Sequence, residues 1–417
     1  MGRTLYNFFI KLYPFIIRLA APFQQKAKFW AEGRKRVFER MQEAISSVHP
    51  LVWMHCSSLG EFEQGRPLIE KIRIYYPSYK VLLTFFSPSG YEVRKNYNGA
   101  DYVFYLPMDS RKNASRFFEI VRPRLILFIK YEFWYYYLCE AKRKQIPLLL
   151  VSGIFRKNQL FFSRYEHFYS SMLSSFTHFF LQDEYSLSLL KTIGFYKNAT
   201  VSGDTRFDRV IEIAEQFQPI PSVEAFCNNS DVIVAGSTWL EDDRILAEYA
   251  NLKKDVKFVI APHNITRQRL NECLELYKKA VLFSAIKTLP ASSEINTIII
   301  DNIGMLSSLY KYATITYVGG GFGSEGIHNV LEAAVYGKPV IFGPVYDKFI
   351  EAGELINSRG AVSINSAAAL KSTFEKFLTK DENYTEVCKA SFDYVYSKRG
   401  ATQTILQFIQ ENRLLTK

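Results

Sequence analysis

From Leu51 onward, short apolar runs alternate with stretches whose apolar positions recur every three or four residues. The runs LVWMHC at 51–56, KVLLTFF at 80–86, YVFYLP at 102–107, RLILFI at 124–129, PLLLVSG at 147–153 and THFFLQ at 177–182 have the length and flanking turn residues of buried strands. Residues 61–75 and the stretch opening at Ser110 carry the helical period, and SPSG at 87–90 reads as a turn. A further strand runs into the Gly-Asp-Thr-Arg turn of VSGDTRFDRV at 201–210, and the prolines of Gln218-Pro219-Ile220-Pro221 mark a linker. A second series follows: DVIVAGST at 231–238, KFVIAPH at 257–263, NTIIID at 296–301, TITYVGG at 314–320, PVIFGP at 339–344 and GAVSIN at 360–365, with helices expected from Glu241, Thr266 and Met305.

Strand–helix alternation of this kind predicts parallel sheets covered by helices on both faces. The two series predict an α/β protein of two facing Rossmann-like domains, with the site in the cleft between them. The expected division is an N-terminal domain over 26–213, a linker at 214–222, a C-terminal domain over 223–390, and a C-terminal helix within 391–417 that can return to the first domain.

Ahead of the first strand, residues 5–23 (LYNFFIKLYPFIIRLAAPF) are aromatic and apolar, but Lys11, Pro14 and Arg18 interrupt them. No run reaches the roughly 18–20 apolar residues of a spanning helix. Lys11 and Arg18 share a helical face, and Lys26, Lys28, Arg34, Lys35, Arg36 and Arg40 extend a basic segment suited to anionic lipid headgroups. Two readings stand, an anchor helix over 1–25 lying on a membrane surface and an ordinary helix packed on its own domain. The combined apolar and basic pattern favours the first.

The net charge of +11 and pI near 9.2 favour acidic partners: nucleic acid, an anionic membrane surface or a phosphorylated substrate. No helix-turn-helix, zinc-finger, RRM or KH pattern accompanies the charge, so nucleic acid is not expected. The five cysteines form no CxxC pair, which predicts a reducing compartment and no disulfide framework. The six histidines show no metal-ligand spacing, so no metal site is expected.

Five strand ends carry candidate chemistry. In ITYVGGGFGSEGIHNVLEAAVYGKPVIFGP at 315–344 a strand enters a glycine-rich turn, and a helix is expected to begin near His328. Bare amides at a helix start suit a phosphate, and Glu332, one turn past His328, is placed to take ribose hydroxyls. The spacing is neither GxGxxG nor GxxxxGK[ST], so a nucleotide-sugar phosphate fits better than a dinucleotide or a P-loop ligand. A tight strand-to-helix connection is the structural alternative. Glu61 follows the Ser57-Ser58-Leu59-Gly60 turn, where a general base or a dipole-complementing acid belongs. Glu132, among Phe128, Tyr131, Phe133 and Trp134, is either catalytic or a buried partner of Lys130. Gly236-Ser237-Thr238 and His263-Asn264 present polar groups, although Ser237 or Thr238 can simply cap the next helix. The acids at 241–243 are expected on a solvent face, complementing the helix dipole.

Together these segments resemble the Kdo (3-deoxy-D-manno-octulosonic acid) transferases of lipopolysaccharide synthesis over nearly the whole chain. The carriers are HCSSLGE with Glu61, YEFW with Glu132, SGDTRFD at 202–208, AGST at 235–238, DNIG at 301–304 and GSEGIHNVLEAAVYGKPVIFGP at 323–344. The resemblance implies a GT-B glycosyltransferase fold, inversion at the anomeric carbon, and no metal or other cofactor. It implies CMP-Kdo as donor, a lipid A precursor (lipid IVA) as acceptor, and a membrane-associated N-terminus on the cytoplasmic face of the inner membrane, peripheral or monotopic. It makes Glu61 the base and Glu132 a second acid on the acceptor side. Donor binding falls on Ser237, Thr238, His263, Gly304, Gly321, Gly323, Ser324, Gly326, His328, Asn329 and Glu332, and acceptor binding on Arg66, Lys130 and Arg156. Three positions depart from the family pattern. Pro262-His263 lacks the arginine of Pro-Arg-His, for which Arg206, Arg267 or Arg269 are substitutes; Met305 stands where an acid often follows DxxG; and Arg206 replaces a lysine. A nucleotide-sugar epimerase of GT-B-like fold is the alternative, against which the N-terminal apolar and basic segment speaks.

Overall fold

The strands of the first sheet are apolar on both sides because both of its faces are covered. The structure, a computed structural model, describes all residues except 1, 46–47, 132, 163–165, 289–293 and 417, and the side chains at 166–167 and 287–288. Strands β1 (Leu51–Cys56), β2 (Lys80–Phe85), β3 (Tyr102–Tyr105), β4 (Pro123–Ile129), β5 (Leu148–Gly153), β6 (His178–Leu181) and β7 (Ala199–Val201) form a parallel sheet in the order β3-β2-β1-β4-β5-β6-β7. Successive side chains of a strand point to opposite faces. Trp53 therefore enters an aromatic cluster with Phe117, Phe118, Phe128 and Tyr137, while Val52, Met54 and Cys56 join the opposite layer. The Trp53 indole N–H donates to Thr84 Oγ1 at 2.8 Å, so this fully buried ring leaves no unpaired donor. Ile405, Leu406 and Ile409 of the helix Ala401–Glu411 complete that opposite layer.

A second parallel sheet comprises β8 (Asp231–Thr238), β9 (Val256–Pro262), β10 (Ala280–Leu282), β11 (Thr297–Ile299), β12 (Ile315–Val318), β13 (Val340–Phe342) and β14 (Ala361–Ser363), in the order β10-β11-β9-β8-β12-β13-β14. The chain separates into two compact units, Met1–Arg209 with Gly400–Lys417, and Val210–Arg399. The SPSG segment is not a plain turn: Ser87 caps a short helix, Pro88–Arg94, by accepting from Ser89 N–H. The pattern also passed over the helix Glu184–Thr192.

The N-terminal helix Gly2–Ala20 packs on the first unit by one face. Tyr13 meets Trp30 and Phe86 edge-on or tilted at 5.5 and 5.7 Å, and Tyr136 donates its O–H to Asn7 Oδ1 at 2.7 Å. Its other side leaves Leu5, Phe8, Phe15, Ile16 and Leu19 between 51% and 62% exposed. No helix among the described residues is long and apolar enough to cross a membrane. Arg34, expected among the lipid-facing cations, instead has its guanidinium enclosed by the rings of Trp30, Phe86 and Tyr105 and donates to the carbonyls of Leu106, Trp30 and Phe86. Burial pushes it down to about 9.

The helix is pinned by a buried carboxylate. Asp109 accepts from Tyr6 O–H and from the backbone N–H groups of Tyr136 and Tyr137. Burial pushes its carboxyl up to about 6, against the opposing effect of those donors. A carboxyl raised from about 3.9 in the unfolded chain contributes stability below that value and loses it as pH rises through the folded value. In urea titrations Asp109→Asn should therefore gain on the unaltered protein by up to about 3 kcal/mol between pH 4 and pH 7. A difference that does not change across this window would reject the assignment.

Candidate functional site

The strand order turns back between β1 and β4 in the first sheet and between β8 and β12 in the second. Loops leaving the carboxyl ends on either side of such a switch point part company and open a crevice. Four candidate segments sit at these places: Glu61 after β1, Lys130 after β4, Ser237 and Thr238 ending β8, and the glycine turn after β12.

Glu61 lies in the first turn of the helix Leu59–Tyr75 and is 7% exposed. The Ser57 N–H donates to its Oε2, so the loop after β1 and the helix start are tied through this carboxylate. Gln64, one turn on and fully buried, donates from Nε2 to Asp204 Oδ2 at 2.9 Å; Gln64 Oε1 has no partner. Arg206 donates its backbone N–H and its Nε to the same carboxylate, both at 2.9 Å. Burial opposes ionisation of Asp204, but Arg206 and, more weakly, Lys130 outweigh it and hold the carboxyl below its usual value. Lys130 adopts a left-handed backbone at φ 63° and carries its Nζ 5.5 Å from the centre of the Tyr131 ring. Burial raises the Tyr131 phenol, which also feels Arg156, Glu61, Arg206 and Asp204. Two acids, Glu61 and Asp204, and three cations, Lys130, Arg156 and Arg206, thus gather around Tyr131.

Arg66 is not part of this group. Five residues beyond Glu61 it points about 140° round the helix, where its Nε pairs with Glu70 at 2.8 Å. Glu132 lies outside the described residues. Gln64, Asp204 and Tyr131 received no role from the sequence, although the three-residue spacing of Glu61 and Gln64 already puts both on one helical face.

The second unit departs further from expectation. Asp242 and Asp243 are not on a solvent face; both are fully buried. Asp242 accepts from Trp239 N–H at 2.9 Å, Gly320 N–H at 2.8 Å and Tyr317 O–H at 2.7 Å, which ties the end of β8 to the glycine turn after β12. Burial pushes its carboxyl up. Asp243 pairs with Arg269 and accepts from Thr238 O–H at 3.1 Å and Tyr277 O–H at 2.9 Å. Two expectations fall with it. Arg269, locked in this buried pair, does not stand in for the arginine missing beside His263, and Thr238, fully buried and bonded inward, does not face a ligand. Ser237 does. It is half-buried, adopts φ 55°, and occupies the break in register where Gly236 pairs with Ala261 but Thr238 with Pro262. A left-handed non-glycine bulge at a strand end is a common feature of ligand sites.

The turn after β12 is dictated by closeness. A Cβ on Gly319 would stand 2.5 Å from Ser237 O, and one on Gly321 would stand 2.6 Å from Gly343 N. The expected helix at His328 is absent: the helix spans only Leu331–Ala334. The amides of Ile327 and His328 donate to Val345 O and Gly319 O, Gly323 N–H donates to Gly320 O, and Leu331 N–H donates to Asn329 Oδ1. Glu332 accepts from Asn329 Nδ2 at 3.0 Å, so its link to the turn runs through Asn329. Ser324 is exposed at the tip, Gly326 bends the return at φ 88°, and Gly304 forms an exposed turn at φ 98°.

His263 stacks on Trp239 at 4.5 Å and on His328 at 4.4 Å. Trp239 Nε1–H donates to His328 Nε2 at 3.2 Å, which assigns the ring proton of a neutral His328 to Nδ1. Burial, then His263, pushes His328 down to about 4, and burial lowers His263. This aromatic wall is uncharged at neutral pH. Of the three arginines considered as substitutes, Arg267 alone makes no ion pair among the described residues.

Residues 33–209 match the family model described as 3-deoxy-D-manno-octulosonic-acid transferase (kdotransferase). The chain is 27% identical to a bifunctional glycosyltransferase/methyltransferase of Fusobacterium nucleatum over 87% of its length, spanning 55% of that protein. It is 26% identical to the 3-deoxy-D-manno-octulosonic acid transferase of Haemophilus influenzae, covering 86% of each chain. The same-named protein of Aquifex aeolicus is 28% identical over 79% of this chain and 86% of its own. Among solved structures, a UDP-GlcNAc 2-epimerase from Neisseria meningitidis bound to UDP-GlcNAc superposes with a TM-score of 0.60 at 16% identity, over 87% of this chain and all (100%) of the other. A glycosyltransferase from Rickettsia africae superposes with a TM-score of 0.53 at 14% identity, over 87% and 98%. These likenesses show the fold, two parallel-sheet α/β units of the GT-B type.

Asp242→Asn would turn an amide N–H group or a poorer acceptor toward three donors. It should destabilise the second unit by about 2–4 kcal/mol in urea unfolding and speed hydrogen exchange at Gly320. Unchanged exchange there would show that Asp242 does not hold the turn.

Proposed function

Since the chain belongs to the Kdo transferase family of glycosyltransferases, we propose that it transfers Kdo from CMP-Kdo to a lipid A precursor, lipid IVA, with inversion and without a metal ion. The observation that carries the catalytic assignment is the buried Glu61 carboxylate at the switch point after β1, inside the segment matched by the family. Glu61 accepts the proton of the acceptor hydroxyl as its oxygen attacks C2 of Kdo. The bond from C2 to the phosphate oxygen breaks on the opposite side, and CMP leaves with the electron pair. Lys130, Arg156 and Arg206 hold anionic groups of the reacting sugars on this side. Glu132 remains the proposed second acid.

The donor belongs to the second unit. The Ser237 hydroxyl, the exposed Ser324 tip and Arg267 meet the phosphate, which gains a negative charge as CMP departs, so donors placed there stabilise the transition state more than the ground state. The neutral wall of Trp239, His263 and His328 takes a flat, uncharged part of the nucleotide, and Glu332, oriented by Asn329, takes hydroxyls. The bare apolar stripe of the helix Gly2–Ala20 supports attachment to the cytoplasmic face of the inner membrane.

The likeness to UDP-GlcNAc 2-epimerases supports a second reading, a nucleotide-sugar epimerase. Glu61→Gln should lower Kdo transfer by about 10²–10⁴-fold while CMP binding persists. Near-normal turnover would reject Glu61 as base, and product from UDP-N-acetylglucosamine without any acceptor would establish the epimerase instead. Replacing Phe8, Phe15 and Leu19 together by serine keeps the packed face intact and should weaken vesicle binding by at least about a hundredfold, each apolar side chain being worth about 1.5–3 kcal/mol when buried. Undiminished sedimentation with lipid would place the attachment elsewhere.

A further inference from the structure

Asp204 stands between the helix that carries Glu61 and a cation of the same crevice. It immediately precedes the helix Thr205–Glu215 and is 6% exposed. Its two oxygens have different partners. Oδ1 accepts the backbone N–H of Arg206 at 2.9 Å, as an acid at a helix start commonly does. Oδ2 takes three side-chain donors: Gln64 Nε2 at 2.9 Å, Arg206 Nε at 2.9 Å and Arg206 Nη2 at 2.8 Å. A helix cap needs one acceptor oxygen, which Asn or Ser supplies about as well as Asp. Capping therefore leaves the second oxygen and its charge unexplained.

Gln64 responds to that charge. Fully buried, it gives Nε2 to Asp204 while its Oε1 has no partner among the described residues. An unpaired buried acceptor is costly, but turning the amide over would set Oε1 against the carboxylate. Thr205 O–H also donates to the Gln64 carbonyl at 2.5 Å, so the Asp204 turn grips both the side chain and the backbone of Gln64. Gln64 lies one turn past Glu61 on the same face of the helix Leu59–Tyr75. The Arg206 side chain, 24% exposed, is held along its Nε–Nη2 edge, and gripping one edge of a planar guanidinium fixes the direction of the opposite edge.

We propose that Asp204 is a positioning residue for the transfer reaction: its Oδ2, steadied by Gln64, aims the Arg206 guanidinium at an anionic group of the sugar that reacts beside Glu61. Its role deepens the transferase reading given above, on which it rests. Asp204 touches no reacting atom and acts through Arg206. Because Gln64 belongs to the helical turn of Glu61, the same contact sets the cation in register with the base.

The test measures kcat/KM for Kdo transfer from CMP-Kdo to lipid IVA by the full chain and by Asp204→Asn, Arg206→Ala and the double variant. Asparagine keeps the acceptor at the helix start, and Gln64 can turn its unpaired Oε1 to the new amide, so the packing survives while the grip on Arg206 is lost. Asp204→Asn should lower kcat/KM by about ten- to a hundredfold, and Arg206→Ala by at least as much. In the Arg206→Ala background Asp204→Asn should cost less than about threefold. Added guanidinium ion, well below unfolding concentrations, should raise the rate of Arg206→Ala by about tenfold or more where Asp204 can hold it, and that of the double variant by less than about twofold. Undiminished turnover in Asp204→Asn or in Arg206→Ala, an equal loss from Asp204→Asn in both backgrounds, or equal rescue with and without Asp204 would overturn the proposal. Asp204→Ser, which also caps, is the second variant, and loss of the folded state in both would make Asp204 purely structural and overturn it as well. Absence of transfer by the unaltered chain would instead sink the transferase reading, and the positioning role with it.

Discussion

A carboxylate sealed from water sets the geometry of the second unit's ligand face. Asp242 replaces its lost hydration with two backbone N–H groups and one phenol, and those donors come from both sides of the switch point. Desolvating a carboxylate is costly, so the three bonds must form together or the residue would stay at the surface. Once they form, the turn after β12 has nowhere else to go. Gly319 then passes so close to Ser237 that no side chain fits, and Ser237 is pushed into a left-handed bulge at the mouth of the sheet. Asp243 holds the next layer by pairing with Arg269 and Tyr277.

The first unit follows the same rule with different partners. Asp204 is held by Gln64 and Arg206 at the carboxyl end of its sheet, and Asp109 collects the N-terminal helix through Tyr6. In both units buried acids fix loops that carry exposed or half-buried polar groups. The cations of a chain with net charge +11 are accordingly of two kinds. Some, such as Arg34 and Arg269, are consumed by the fold, while Lys28, Lys35, Arg36 and Arg267 make no ion pair among the described residues.

Electrically the candidate groups of the two units differ. Around Tyr131 two acids stand among cations, which suits proton removal and the holding of anionic sugars. The stacked Trp239, His263 and His328 form a neutral surface, because burial keeps both imidazoles unprotonated at neutral pH. A transferase needs this division, with one place that moves a proton and another that receives a leaving group without competing for that proton. The family match covers the first of these and the fold likeness covers both.

The strands were legible because a strand buried on both faces is apolar throughout, as in LVWMHC and RLILFI, and this is a local property. The glycine turn and the placing of Glu61 after a strand were legible for the same reason, since turn chemistry acts within a few residues. The acids at 242 and 243 were misread because an acidic helix start looks alike in water and in a core. Their partners Arg269, Tyr277, Tyr317 and Gly320 stand 26, 34, 75 and 78 residues away. The helix expected at His328 failed likewise, its amide already taken by Gly319 O. By itself the sequence determined which segments are strands, in what series, and which strand ends carry chemistry. Only the tertiary structure decided which polar groups are free to act, because that depends on hydrogen-bond partners and desolvation supplied by residues far along the chain.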